Sequence, residues 1–186
     1  MTIIGILGKK RHGKDTISDH IIKKYKYQSV AYASPLKEAC RILFGFNDEQ
    51  LYGNDKEVID EYWEITPRSA FQFIGTDLIR AQMKQLTPKI GENFWAECTR
   101  KCIRDKLKQD PQSNIVITDV RFPNEVDLVH EFNGIIIKVE RPNMKSNDEH
   151  ISEKGIDDIK NFNHKIINDG TIEELHKKVD IIFSSL

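Results

Sequence analysis

A continuous apolar run ends on a cluster of glycines and cations, and helically spaced apolar residues resume at once; this junction is what most constrains the fold of the chain. Thr2 to Leu7 does not alternate with polar residues, so it reads as a strand buried on both faces. Ile17, Ile21, Ile22 and Tyr25 recur at helical spacing and predict a helix from about Lys14 to Tyr25. Between them stands Gly8-Lys9-Lys10-Arg11-His12-Gly13-Lys14-Asp15-Thr16. A glycine-bounded turn from a buried strand into a helix directs consecutive backbone N–H groups at one point, where an anion can sit. Gly8 and Gly13 permit the turn, Lys10, His12 and Asp15 complete it, and Lys14 reaches the outer phosphates of a bound triphosphate. The expected ligands are ATP and Mg²⁺, with the hydroxyl of Thr16 on the metal.

Asp15 follows the lysine where a generic triphosphatase would carry Ser or Thr, and the hydroxyl comes one position later. This Gly-Lys-x-Thr form resembles nucleotide monophosphate kinases. Lys9, Lys10, Arg11 and His12 also concentrate positive charge inside the loop. Transfer between two phosphates brings mutually repelling oxygens together, so Lys10 and Arg11 are candidates for the second phosphate and Arg11 for charge stabilisation in transfer.

Downstream, β-branched apolar runs alternate with helical patterns, as in a parallel sheet flanked by helices. Strands are expected at Gln28 to Ala33, Ile115 to Thr118, Ile135 to Val139 and Lys165 to Ile167. Helices are expected after Ser34, with Ser34 as cap and Pro35 in the first turn, from about Asn124 to Phe132, and from Thr171 with Ile172, Leu175, Val179 and Ile182 inward. Asn47 to Arg104 reads as mostly helical, with Thr66-Pro67 turning into one of its helices. Arg141 to Phe162 is charged and poor in apolar residues. The expected architecture is a three-layer α/β domain spanning 1–186, with a mainly parallel sheet of about five strands, a helical insert at about 45–110 and a lid-like segment at about 141–162. Ligands of such sheets sit beyond the carboxyl ends of the strands, which puts both inserts beside the phosphate site. Asp119 closes a buried strand there, placed to hold Mg²⁺ or take the acceptor's proton, and Arg121 is placed to clamp a phosphate. Pairing of Arg121 with Glu125 is the structural alternative.

The formal net charge of −1 excludes broad electrostatic capture of nucleic acid or anionic membrane, and no run is long enough to span a bilayer. Cys40, Cys98 and Cys102 cannot all pair within one chain. Reduced thiols and a cytoplasmic home are expected, the host cytoplasm if the source is viral.

Several blocks together resemble the deoxynucleoside monophosphate kinases of DNA phages and large DNA viruses, in family order and over nearly the whole chain. They are Gly13-Lys14-Asp15-Thr16, Ser34-Pro35-Leu36-Lys37-Glu38-Ala39, Thr66-Pro67-Arg68, Gly75-Thr76-Asp77, Asp119-Val120-Arg121-Phe122-Pro123-Asn124-Glu125, Arg141-Pro142, Ser146-Asn147-Asp148-Glu149-His150 and Asn168-Asp169-Gly170-Thr171-Ile172-Glu173-Glu174-Leu175. The resemblance implies a P-loop kinase that passes the γ-phosphoryl of ATP to a deoxynucleoside 5′-monophosphate with Mg²⁺. It implies Lys14, Arg11, Asp119 and Arg121 as catalytic residues and Asn168 and Gly170 as the loop flanking adenine. Lys37, Arg68, Asp77, Arg80, Trp95, Arg121, Glu125 and His150 are implied for the acceptor. Arg141, Lys145 and His150 belong to the lid-like segment. Phe71, Phe73 and Trp95 read as core residues ahead of base-stacking rings. The short stretch Asn47 to Ile65 leaves base specificity open, and a homodimer is also left open.

Dephospho-coenzyme A kinase and phosphomevalonate kinase resemble parts of the chain, the latter through its Gly-Lys-Asp loop and Asp-x-Arg block. Gly75-Thr76-Asp77 and the Asn147 to His150 stretch favour the nucleotide kinase. No Asn-Lys-x-Asp signature supports a GTP-dependent switch. A nucleotide-binding protein without turnover would not need Lys14, Thr16, Asp119 and Arg121 together.

Overall fold

Burial on both faces is what the central strand's composition demands, and a computed structural model of the chain places it accordingly. The structure describes residues 1–142, 144 and 155–186. Lys145 and His150 of the expected lid-like segment, and the Ser146 to His150 block, lie outside the described residues. The chain divides into two compact units, residues 1–31 with 99–186, and residues 32–98. The helical insert expected at about 45–110 overlaps the second of these.

In the first unit, β1 (Ile3–Leu7), β2 (Gln28–Val30), β3 (Ile115–Val120), β4 (Ile135–Glu140) and β5 (His164–Ile167) form one parallel sheet in the order β2-β3-β1-β4-β5. β1 lies at the centre, paired with β3 on one side and β4 on the other, and all five of its residues are buried. Ile4 and Ile6 pack on one face against Ile17 and Ile21 of α1 (Lys14–Tyr25) and Leu175, Val179 and Ile182 of the C-terminal helix, α8 (Ile172–Phe183). On the other face, the site of a Cβ on Gly5 would meet Val129 of α7 (Pro123–Glu131) and Val120 and Ile136 of the sheet. The period-2 alternation of β1 thus serves two helix layers.

Local chemistry sets the helix ends. α8 opens on a capping box in which Thr171 Oγ1 accepts the Glu174 N–H at 3.2 Å and Glu174 Oε2 accepts the Thr171 N–H at 2.8 Å. β2 ends at Val30, short of Ala33, because Tyr32 and Ala33 already turn into α2 (Ser34–Phe44). Ser34 is the first helical residue rather than the cap, a place taken by Ala33 in helical conformation without a side-chain hydrogen bond. β3 runs two residues past Thr118 and contains a register shift: Gly5 faces Ile117 while Leu7 faces Val120, so β3 has one more residue than β1 at Thr118 and Asp119. A bulge of this kind re-aims side chains at a strand's end.

The second unit is helical. It contains α2, α3 (Asp48–Leu51) and a helical stretch over 67–86. Thr66 caps that stretch by accepting the Ser69 N–H at 3.1 Å, with Pro67 in its first turn. The stretch begins as α4 (Pro67–Gln72), widens into a π-helical segment (Phe73–Arg80) and ends as α5 (Ala81–Leu86). Leu36, Cys40, Phe46, Leu51, Ala70, Ile74 and Trp95 are its core. Trp95 belongs to the opening turn of α6 (Phe94–Gln109), a helix within which the division between the units falls. Among the described residues no helix is long and apolar enough to cross a membrane, and all three cysteines are free.

Candidate active site

The phosphate-binding loop leaves β1 at Gly8 because no other residue fits there. A Cβ on Gly8 would lie 2.6 Å from the Val139 carbonyl oxygen and 2.9 Å from Val139 Cγ1, inside contact distance of the neighbouring strand. Past Gly8 the chain coils tightly. Lys9 C=O accepts the His12 N–H at 3.2 Å and the Lys14 ammonium at 2.9 Å, and Gly13 C=O accepts the Ile17 N–H at 3.0 Å as the first bond of α1. Arg11 (φ 63°) and Gly13 (φ 104°) both take left-handed conformations. Alternation of this kind turns successive N–H groups to one side of a loop, and the N-terminus of α1 adds its dipole. Lys14 is 7% exposed, so its stem is packed and its ammonium is held within the loop.

A cavity of about 340 Å³ opens over this loop, lined by Arg11, Gly13, Lys14, Asp15 and Thr16 together with Arg141, Asn168, Gly170, Ile172 and Leu175. Six of the nine sequence-derived donor-nucleotide residues therefore meet on one cavity, the exceptions being Gly8, Lys10 and His12. Gly8 is buried beneath the loop and Lys10 is half-buried. His12 is buried, its Nδ1 accepting the Arg141 N–H at 3.4 Å and its carbonyl accepting the Asn168 amide at 2.9 Å. Arg141 joins the cavity wall as the residue that follows β4. Ile172 and Leu175 were legible only as the inward face of a helix. Leu175 is core as well as wall, whereas Ile172 is 59% exposed, since it sits in the first turn beyond the sheet edge.

Asp119 lies at the bulge of β3, next to β1 in the sheet and half-buried. Both the loop and Asp119 therefore stand at the carboxyl edge of adjacent parallel strands. Arg121 follows in the turn to α7, half-buried. The expectation that Glu125 binds the acceptor needs correcting. The residue is 3% exposed, and its Oε2 accepts the backbone N–H groups of Arg121 at 2.8 Å and Phe122 at 3.2 Å, which holds the turn that presents Arg121.

Within the second unit Lys37 lies over the ring of Tyr52, 4.5 Å from its centroid, and Arg68 Nε donates to Glu57 Oε1 at 3.2 Å. Asp77 and Arg80 belong to the π-helical segment, exposed and half-buried respectively. Such segments are rare and often accompany function. Trp95 is 7% exposed and its indole N–H donates to the Gly75 carbonyl at 2.8 Å, so it is a core residue and offers no open ring face for a base.

Two features had little or no sequence signal. Lys9 is ion-paired with Asp157, which ties the loop to the short helix Gly155–Asp158. Lys138, the one charge within the apolar run of β4, is 3% exposed, and its ammonium donates to the carbonyls of Ile156 and Ile159 at 3.2 Å each. A lysine interrupting a buried strand was the available clue. On the outer surface, Asp180 accepts from His20 at 2.7 Å and from Lys24 and Tyr25 at 2.8 Å each. Burial pushes its pKa up, but these partners together hold it well below the usual carboxylate range. Burial, then the neighbouring His20, lowers the pKa of His176, whose ring stacks on that of His20 at 4.0 Å.

Comparison with known proteins identifies the family and the fold. The family described as deoxynucleotide monophosphate kinase matches residues 46–179. The chain is 37% identical over 182 residues to a putative deoxynucleotide monophosphate kinase of Acanthamoeba polyphaga mimivirus, covering 96% of this chain and 94% of that one. It is 24% identical over 245 residues to the deoxynucleotide monophosphate kinase of Enterobacteria phage T4, covering 96% and 97%. Among solved structures, a Thermus thermophilus protein (TM-score 0.51, 15% identity, covering 100% of this chain and 97% of that one) and the dephospho-CoA kinase of Campylobacter jejuni (TM-score 0.51, 14% identity, covering 98% and 95%) share the fold.

Proposed function

Because the chain belongs to the deoxynucleotide monophosphate kinase family, we propose that it transfers the γ-phosphoryl group of ATP to a deoxynucleoside 5′-monophosphate, giving ADP and the deoxynucleoside diphosphate. The observation that carries this reading is the juxtaposition at the carboxyl edge of the sheet: the Lys14 loop leaves β1 while Asp119 stands at the end of the adjacent β3 and Arg121 follows it.

The residues divide the work by position. The loop's N–H groups and the α1 N-terminus hold the donor phosphates without side-chain ordering. Lys14, packed along its stem, moves its ammonium only a short way from the Lys9 carbonyl to a phosphate oxygen. Arg11 stands on the cavity wall, where a cation stabilises the charge that spreads over the transferring group. Gly170 and Ile172 form the wall beyond the phosphates, Ile172 presenting apolar surface to a base. Arg121, aimed by Glu125, is the phosphate clamp on the acceptor side. Lys37, Arg68, Asp77 and Arg80 are the acceptor candidates of the second unit.

The donor set fits Mg²⁺. Thr16 and Asp119 offer a hydroxyl and a carboxylate, oxygen ligands suited to a hard cation that takes one or two groups from protein and the rest from water and phosphate. When bound, the ion neutralises charge between phosphate oxygens. Asp119 is also the carboxylate able to take a proton from the acceptor phosphate.

The test is ADP release measured with each common dNMP, mevalonate 5-phosphate and dephospho-coenzyme A as acceptor. Turnover that requires both Mg²⁺ and a dNMP supports the reading. Turnover only with one of the other two acceptors overturns it.

A further inference from the structure

Resemblance gives Asn168 a place beside the donor's base, but its contacts lead to the loop backbone. Its side-chain Nδ2 donates to the His12 carbonyl at 2.9 Å. A carbonyl partner requires the amide nitrogen at this position, which fixes the orientation of the side chain. Its own backbone N–H donates to the Glu140 carbonyl at 2.7 Å, so Asn168 is anchored to the end of β4 whatever its side chain does. The approach is close: a Cβ on Gly13 would lie 2.6 Å from Asn168 Nδ2. Gly13 supplies both the left-handed turn and the room for this amide.

The consequence follows from the planarity of the peptide. In a trans unit the carbonyl of one residue and the N–H of the next point in opposite directions. Holding the His12 carbonyl on the Asn168 amide therefore points the Gly13 N–H away from Asn168, and the adjoining Gly13 carbonyl is fixed by the Ile17 N–H at 3.0 Å. Without a donor at Asn168, the His12–Gly13 peptide can rotate and present a carbonyl oxygen to the donor phosphates. We infer that Asn168 is a positioning residue for phosphate binding, which locks the His12–Gly13 peptide with its N–H toward the donor phosphates. The inference rests on the loop being the donor site, as proposed above.

Inorganic tripolyphosphate separates this role from contact with the base, because it has none. Calorimetric affinities for ATP and for tripolyphosphate, each with Mg²⁺, are to be measured for the wild type, Asn168→Ala and the near-isosteric Asn168→Leu, which keeps the volume but loses the N–H donor without adding charge. Melting curves confirm that each variant is folded, and the retained backbone bond to Glu140 predicts that both are. Loss of one part-buried hydrogen bond to a phosphate-orienting peptide predicts about tenfold weaker binding of both ligands, by the same factor. In turnover, kcat/KM for ATP falls by at least that factor while KM for the dNMP stays put. Weaker ATP binding with unchanged tripolyphosphate binding overturns the inference in favour of base contact. Unchanged binding of both overturns it as well. If the wild type binds neither ligand, the donor-site reading itself fails and this inference with it.

Discussion

Replacing Gly8 with alanine tests the packing that shapes the phosphate loop. The added methyl would sit 2.6 Å from the Val139 carbonyl oxygen, whereas ordinary contact begins at 3.4 Å, so β1 and β4 must separate by about 0.8 Å at their carboxyl ends. The obstructing atom is backbone in the adjacent strand, and no rotamer change relieves it. Overpacking of this kind costs about 1–3 kcal/mol. For a chain of this size that corresponds to a fall of roughly 2–12 °C in Tm. The displacement also reaches the first residue of the loop, and a misplacement of about 1 Å near reacting groups costs roughly 10²-fold in rate. Gly8→Ala should therefore melt earlier in a thermal scan and lose about 10²-fold in kcat/KM for ATP. A variant with wild-type Tm and wild-type kcat/KM would refute the claim that strand contact at Gly8 sets the loop.

Four further outcomes follow from named contacts. Lys14→Ala should lose on the order of 10³-fold in kcat or more, about 4 kcal/mol of transition-state stabilisation, with near-native melting; rates close to wild type would remove Lys14 from catalysis. Arg121→Ala should lower kcat, and an unchanged kcat would leave Arg121 a structural role alone. Trp95→Phe should lower stability by about 1–2 kcal/mol through the lost bond to the Gly75 carbonyl while leaving KM for the dNMP unchanged, and a raised KM without loss of stability would restore Trp95 as a base contact. Asp180 has a depressed folded pKa, so its contribution to stability is fully present above the ordinary carboxylate pKa, about 4, begins to shrink below it and is lost only as pH falls on through the folded value. The Tm gap between wild type and Asp180→Asn should accordingly be wide at neutral pH and narrow toward pH 3; a gap that does not vary with pH would contradict this.

The elements that position the site were readable because their signals are local. The unbroken apolar run of β1, the spacing of Ile17 and Ile21 and the Thr171 capping pattern each prescribe structure within a few residues, and the strand, α1 and α8 stand where those signals put them. The cavity was readable to the extent that it is made of the loop and the β5–α8 turn. What escaped depends on contacts distant in sequence. Nothing near Glu125 reveals that its carboxylate will face the N–H groups of Arg121 and Phe122 rather than a ligand, because a capping glutamate and a binding glutamate look alike in a sequence. Trp95 likewise could be core or platform until its indole met Gly75, twenty residues away. The bulge at Asp119 arises from the register of β3 against β1, which neither strand encodes alone. Asn168 read as a turn former, and only its meeting with His12, 156 residues away, gives it a second role.

Group transfer itself is the most direct measurement. ATP labelled at the γ-phosphorus is to be incubated with the protein, Mg²⁺ and each of the common dNMPs, and the products separated by chromatography. The label should appear in the β-phosphate of a deoxynucleoside diphosphate, with unlabelled ADP formed in equal amount. Label that remains in ATP, or that appears only as inorganic phosphate, with every dNMP offered would contradict the assignment of this chain as a deoxynucleoside monophosphate kinase.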